Sequence, residues 1–176
     1  EAGIQSVYGV SGANIENFHD AIYRREGQLR SIAARSESGA AFMADGEART
    51  GAPFGVCCST SGGGMMNLAV GVAESYQEGI PVLAIVGQIP TRLEGMGGFQ
   101  DSSGIGQTVH ALGMWKAISK EVREIRSGAS FWEDLQTVMT QMLTPRRGPG
   151  VLLIPKDVFD APVPPRPEGW TWKKEE

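Results

Sequence analysis

Residues 80–86 form an apolar run interrupted only by Pro81, which suits a parallel strand covered on both faces better than a strand with one wet side. A strand of that kind needs helices above and below it, so its neighbours in the chain have to alternate between strand and helix. They do. Residues 4–10 are rich in β-branched and aromatic side chains and end in Gly9-Val10-Ser11-Gly12, a strand feeding a turn. Ile15, Phe18 and Ile22 then recur at helical spacing up to Arg24 and Arg25, with Asn14 placed as N-cap. Residues 29–34 read as a second strand. Ser36-Glu37-Ser38-Gly39 opens a helix of small residues, Ala40, Ala41, Ala44 and Ala48, ending near Thr50-Gly51; small side chains there predict close packing.

Residues 54–59 read as a third strand, and Thr60-Ser61-Gly62-Gly63-Gly64 turns it into a helix marked by Met65, Leu68, Ala69, Val72, Ala73 and Tyr76. Beyond the 80–86 strand, residues 87–109 are polar and glycine-rich, too long for a plain connection, and predict ligand or partner contacts. Residues 116–122 read as a fifth strand, Phe131, Leu135, Val138, Met139 and Met142 as a helix, and residues 150–154 as the last strand. The predicted fold class is α/β: three layers, α/β/α, around a mainly parallel sheet with right-handed crossovers and ligands at the carboxyl ends of the strands.

A chain of 176 residues suits one domain, expected over residues 1–158. Pro162, Pro164, Pro165 and Pro167 predict a linker over residues 159–176 leading toward a further domain. Glu1-Ala2-Gly3 reads as a helix end with a glycine C-cap, so the domain's first helix is expected to be missing.

The net charge of −4 argues against a nucleic-acid surface, which needs clustered Lys and Arg. Apolar runs far shorter than the roughly 20 residues of a membrane span exclude a helical one, and with no signal-peptide pattern the expected location is the cytoplasm. Cys57 and Cys58 are adjacent in a predicted strand, where neighbours face opposite ways, so they are expected as reduced core thiols.

Glu37 follows a strand at the opening of a helix, a placement that aims a side chain at a crevice, although the helix dipole alone also favours an acid there. The Thr60–Gly64 turn exposes backbone N–H groups at a helix start. It lacks the P-loop lysine and the dinucleotide spacing, which disfavours nucleotide hydrolysis. His19 and His110 are the only histidines and match no metal-ligand spacing, so no protein-built metal site is expected. Ser61 lacks the flanking glycines of a nucleophile elbow.

Taken in order, Gly9-Val10-Ser11-Gly12, Arg35-Ser36-Glu37-Ser38-Gly39-Ala40, Thr60-Ser61-Gly62-Gly63-Gly64-Met65-Met66-Asn67-Leu68, Gly87-Gln88-Ile89-Pro90 and Phe99-Gln100-Asp101 resemble the amino-terminal, pyrimidine-binding domain of acetolactate-synthase-like enzymes that use thiamine diphosphate. Pro155-Lys156-Asp157-Val158 also resembles that family's exit from the domain. The resemblance implies that Glu37 hydrogen-bonds the cofactor's aminopyrimidine and takes part in the proton relay that generates the ylid. It further implies that Thr60, Gly62, Gly63 and Asn67 line the cofactor pocket, and that Gly12, Phe99 and Gln100 face the reacting centre.

The resemblance implies a carboligase or decarboxylase acting on a 2-oxo acid such as pyruvate, working as a homo-oligomer with active sites between chains. Magnesium would be held by an absent carboxy-terminal domain, and flavin (FAD) use stays open. Rival readings are a separate pyrimidine-domain subunit of a split 2-oxo acid decarboxylase and a catalytically silent assembly or regulatory domain on the same fold. The chain departs from the family pattern in Ser36, where a histidine often stands, and in Met65 and Met66, where smaller residues are usual. Asp45-Gly46 with Asn67 imitates the family's Gly-Asp-Gly metal motif, but Ala44 replaces the leading glycine and Asp45 falls inside a predicted helix.

Overall fold

The computed structural model describes residues 2–25 and 27–172. Six strands, β1 (Ser6–Gly9), β2 (Arg30–Ala33), β3 (Gly55–Ser59), β4 (Val82–Gln88), β5 (Glu121–Glu124) and β6 (Gly150–Pro155), form one sheet in the order β2-β1-β3-β4-β6-β5. Every pairing is parallel, for example Tyr8 with Cys57, Val56 with Leu83 and Val86 with Leu153. The helices are α1 (Glu16–Tyr23), α2 (Glu37–Arg49), α3 (Gly63–Glu78), α4 (Ala111–Lys116), α5 (Phe131–Leu143) and α6 (Lys156–Phe159). The predicted α/β/α class stands.

Strand alternation divides the apolar residues between two cores. Val82, Ala84 and Val86 of β4 pack with Ala41, Leu68 and Trp115 from α2, α3 and α4. Leu83 and Ile85 face the other way and pack with Ile22 of α1 and Val138 and Met142 of α5. Each fully buried Val, Leu, Ile or Met among them contributes roughly 1.5–3 kcal/mol before the entropy of ordering it. Cys57 and Cys58 obey the same rule: they enter opposite cores, both are free thiols, and burial pushes Cys58 up to about 12 and Cys57 further still. The expectation of reduced core thiols holds.

Three expectations are corrected. Asn14 does not cap α1; Ile15 occupies the N-cap with no side-chain bond, and the Asn14 amide instead donates to Ser61 Oγ at 2.8 Å. Residues 116–122 are not a strand throughout. Lys116 ends α4, whose Ala111 and Trp115 are buried one turn apart, and pairing in β5 starts only at Glu121; six helical residues are too few to show a period. β4 also lies later than residues 80–86, because Pro81 precedes the ladder and Gly87 and Gln88 pair with Ile154 and Pro155.

The proline-rich segment lies against the domain as far as it is described. Trp132 Nε1 donates to the Pro164 carbonyl at 2.8 Å, the Trp132 and Trp170 rings meet edge-on at 5.0 Å, and Trp172 meets Phe54 at 5.9 Å. No helix among the described residues is long and apolar enough to cross a membrane.

β1, β3 and β4 are neighbours and run the same way, so the segments leaving their carboxyl ends emerge side by side. The chain goes from β1 outward to β2 and then returns to β3 on the other side of β1. That reversal between β1 and β3 is the place where an open α/β sheet leaves a crevice.

Candidate active site

Glu37 is the first residue of α2, set there by Ser36, whose backbone is extended and whose Oγ accepts the Gly39 N–H at 3.1 Å. The helix it opens is held tightly against α3. A β-carbon on Gly71 would stand 2.6 Å from that of Ala41, so only glycine permits this approach. Buried Asp45 fastens the same pair of helices by accepting the Ser75 hydroxyl at 2.8 Å while also pairing with Arg49 within α2. Asp45 is thus a helix-locking residue.

With the helices locked, Asn67 on the second turn of α3 reaches across and donates its Nδ2 to Glu37 Oε2 at 3.1 Å. The other oxygen lies over the glycine turn: a β-carbon on Gly64 would stand 3.3 Å from Glu37 Oε1 and 2.8 Å from Thr60 Cγ2. Gly63 faces open space, with nothing within 4 Å of where its β-carbon would be. The carboxyl, the turn and the start of α3 therefore form a shallow cradle that is open at Gly63, while Thr60 Cγ2 and the Gln100 side chain fill the space beside Gly64 and Gly62.

The adjoining loops are tied to this turn. Thr60 is buried and its Oγ1 accepts the Asn14 N–H at 3.2 Å, while Gly12 presses so closely that a β-carbon there would stand 2.7 Å from Thr60 Cβ. From the long loop after β4, Gln100 lies against Gly62 and its Oε1 is 3.5 Å from Thr60 Oγ1. Phe99, next to it, is 77% exposed and so is no core residue. The loop is anchored at several points: Glu94 pairs with Arg126, the Asp157 carboxylate accepts the Thr91 N–H and hydroxyl, and the Asp101 carboxylate accepts the Gly95 and Ser103 N–H groups.

Gly12, Glu37, Thr60, Gly62, Gly63, Asn67 and Gln100 thus come together at one end of the sheet, with Phe99 exposed on the same loop. The histidines do not join them. His110 precedes α4, and His19 sits with its Nε2 3.8 Å from Cys58 Sγ. Burial lowers the His19 pKa against the Val10 backbone hydrogen bond that raises it. No cluster of three or more potential metal ligands occurs among the described residues.

Sequence reasoning missed Asn14, Ser61 and Ser102 as parts of the same network. Ser102 Oγ accepts the Gly62 N–H at 3.4 Å and donates to Gln88 Oε1 at 3.1 Å. The legible signal was a glutamine closing an otherwise apolar strand.

The donor set suits a neutral heterocycle. It offers one carboxyl group fixed by an amide beside a glycine turn that is open at Gly63. None of its hydrogen bonds comes from Lys or Arg, as recognition of a diphosphate would ask. In shape and hydrogen bonding these residues are compatible with the pyrimidine ring of thiamine diphosphate.

Comparison with known proteins gives the family. The family described as thiamine pyrophosphate enzyme, N-terminal TPP binding domain, matches residues 1–107. A probable acetolactate synthase large subunit from Methanocaldococcus jannaschii is 36% identical over 161 residues, which cover 92% of this chain and 26% of that protein. An acetolactate synthase from Arthrospira platensis is 34% identical over 163 residues, 92% of this chain and 27% of that protein. Acetolactate synthase isozyme 2 large subunit from Escherichia coli is 34% identical over 160 residues, 89% of this chain and 27% of that protein. The chain spans about a quarter of the length of these relatives.

Proposed function

The chain belongs to the thiamine pyrophosphate enzymes, as their N-terminal TPP-binding domain, and on that footing we propose that it serves an acetolactate-synthase-like carboligase or decarboxylase acting on a 2-oxo acid such as pyruvate. The observation that carries this reading is the Glu37 carboxyl, held by Asn67 above the glycine turn of α3. Bound thiamine diphosphate supplies the carbanion chemistry.

Glu37 supplies a proton site at Oε1 in a position open to a ring nitrogen, while Asn67 occupies Oε2 and fixes the plane of the carboxyl. Thr60, Gly62 and Gly63 hold the ring by shape, with the flat heterocycle lying over Gly63, where a β-carbon would intrude. Gly12, Phe99 and Gln100 border the same opening and face the 2-oxo acid. Glu37 acts as general acid and base toward the ring.

The cradle is open on one side, and beside it α2 and α3 expose Phe42, Met43, Met66 and Val70. Apolar side chains grouped on one helical pair mark an association surface. In this reading a diphosphate-and-magnesium domain from a second copy covers them, so that the working unit is an oligomer with its active site between chains.

Glu37→Gln in the intact protein tests the reading. The substitution keeps shape and removes the proton site, and activity on pyruvate is expected to fall about 10²- to 10⁴-fold. An unchanged rate rejects the catalytic role and favours a silent assembly or regulatory domain on this fold.

A further inference from the structure

Gln88 closes β4 and is 4% exposed, at a position where a strand covered on both faces ordinarily carries an apolar residue. A buried amide is tolerated there when its polar atoms are bonded. Nε2 donates to the Gly87 carbonyl at 2.9 Å, and Oε1 accepts the Ser102 hydroxyl at 3.1 Å. Ser102 is itself 1% exposed, and its Oγ also takes the Gly62 N–H at 3.4 Å and lies 3.3 Å from the Gln100 carbonyl oxygen. One serine oxygen therefore joins the end of β4, the glycine turn and the long loop, shielded from water that would weaken such bonds.

The residue this hook surrounds is the strained one. Gln100 has φ +61°, and it is the one non-glycine with positive φ among the described residues. Glutamine does not adopt that conformation by preference; it persists where the surroundings over-determine it. Gly62 makes room for it, since a β-carbon there would stand 2.8 Å from Gln100 Cβ. The directions in which Gln100 and Phe99 leave the backbone depend on that single left-handed residue.

We propose that Gln88 and Ser102 are positioning residues, whose hydrogen bond holds Gln100 in its left-handed conformation and thereby aims Gln100 and Phe99 at the 2-oxo acid. The aiming role rests on the proposed function; the conformational role stands apart from it.

The intact protein and its Ser102→Ala, Gln88→Leu and doubly substituted forms provide the test. Hydrogen exchange of residues 98–103 is followed by mass spectrometry alongside steady-state kinetics with pyruvate. Each single substitution is expected to speed exchange over residues 98–103 about tenfold, the equivalent of one hydrogen bond, and the double form no more than either. kcat/KM for pyruvate is expected to fall about tenfold through misplacement of the loop. Thiamine diphosphate affinity of Gln88→Leu, which leaves the Gly62–Ser102 contact in place, should stay within about threefold by the same independence of separate contacts.

Ser102→Ala adds no volume, so it reports even where Gln88→Leu does not fold. Unchanged exchange in Ser102→Ala, or single effects that multiply in the double form, overturns the hook. Faster exchange with unchanged kcat/KM overturns the aiming role. Wild-type protein inactive toward every 2-oxo acid overturns the proposed function and with it the aiming role, while exchange alone still decides the hook.

Discussion

On one face of the sheet α2 and α3 meet through Ala41 and Gly71, so closely that a β-carbon on Gly71 would stand 2.6 Å from that of Ala41. On the other face Phe18, Phe131 and Phe159 border an apolar hollow of about 350 Å³ between α1 and α5. The first face positions chemistry and the second supplies burial. Small residues bring two helix backbones together with little freedom, and that precision sets Asn67 opposite Glu37 across 30 residues of sequence. Large aromatic residues bury more area per side chain but leave gaps where their shapes do not interlock.

This contrast is open to attack from both sides. The largest expected effect is the loss of activity in Glu37→Gln, about 10²- to 10⁴-fold with little change in melting temperature; a comparable loss of stability would mean that Glu37 belongs to the packing. Next comes Met142→Ala on the opposite face, where a fully buried side chain of α5 is truncated. It should cost about 3 kcal/mol in urea unfolding, with kcat unchanged in the folded fraction. Smaller still in stability is Gly71→Val, at about 2 kcal/mol from overpacking, but here kcat should fall as well because α2 and α3 separate. If Gly71→Val lowers only stability, the two faces do not differ in kind.

The smallest effects are those of pH. Burial works to raise the Asp101 carboxyl, but hydrogen bonds from Ser103 and Gly95 outweigh it and hold the group below its ordinary value. Asp157 is held low in the same manner by Thr91. A lowered carboxylate contributes stability that is present above its ordinary pKa and lost as pH falls through the folded value. Hydrogen exchange in residues 91–103 should therefore accelerate below about pH 4 beyond its intrinsic pH dependence, before α2 and α3 are affected.

At the other end of the scale, Cys57 and Cys58 are raised by burial. Their contribution is complete below the unfolded thiol pKa and lost as pH rises above it, because only the unfolded chain then ionises. Thermal melts followed by circular dichroism should show a falling midpoint above about pH 8.5. Melting that is insensitive to alkali up to pH 10 would contradict the burial of both thiols.

Much of this was legible in the residues. The alternation of apolar periods is a local property, and so five of the six strands, the mainly parallel sheet, the two-sided burial of β4 and the placement of Glu37 at the start of a helix were legible along the chain. The same holds for Cys57 and Cys58, whose opposite facing is dictated by the pleat. Local pattern failed at α4, where six residues around Gly113 carry too little period, and at Asn14, whose type fits a helix cap but whose side chain is taken by Ser61 47 positions away.

What only the folded chain decided is which polar groups meet. Nothing in the spacing of Glu37 and Asn67, of Gln88 and Ser102, or of Gly62 and Gln100 announces a contact, because each depends on how the crossovers and the long loop lay one strand end beside another. Periodicity records which side of an element is dry, and a hydrogen bond needs positions in space correct to a few tenths of an ångström. That accuracy comes from the sheet register and from the closeness of α2 to α3, neither of which is a property of any short stretch of residues.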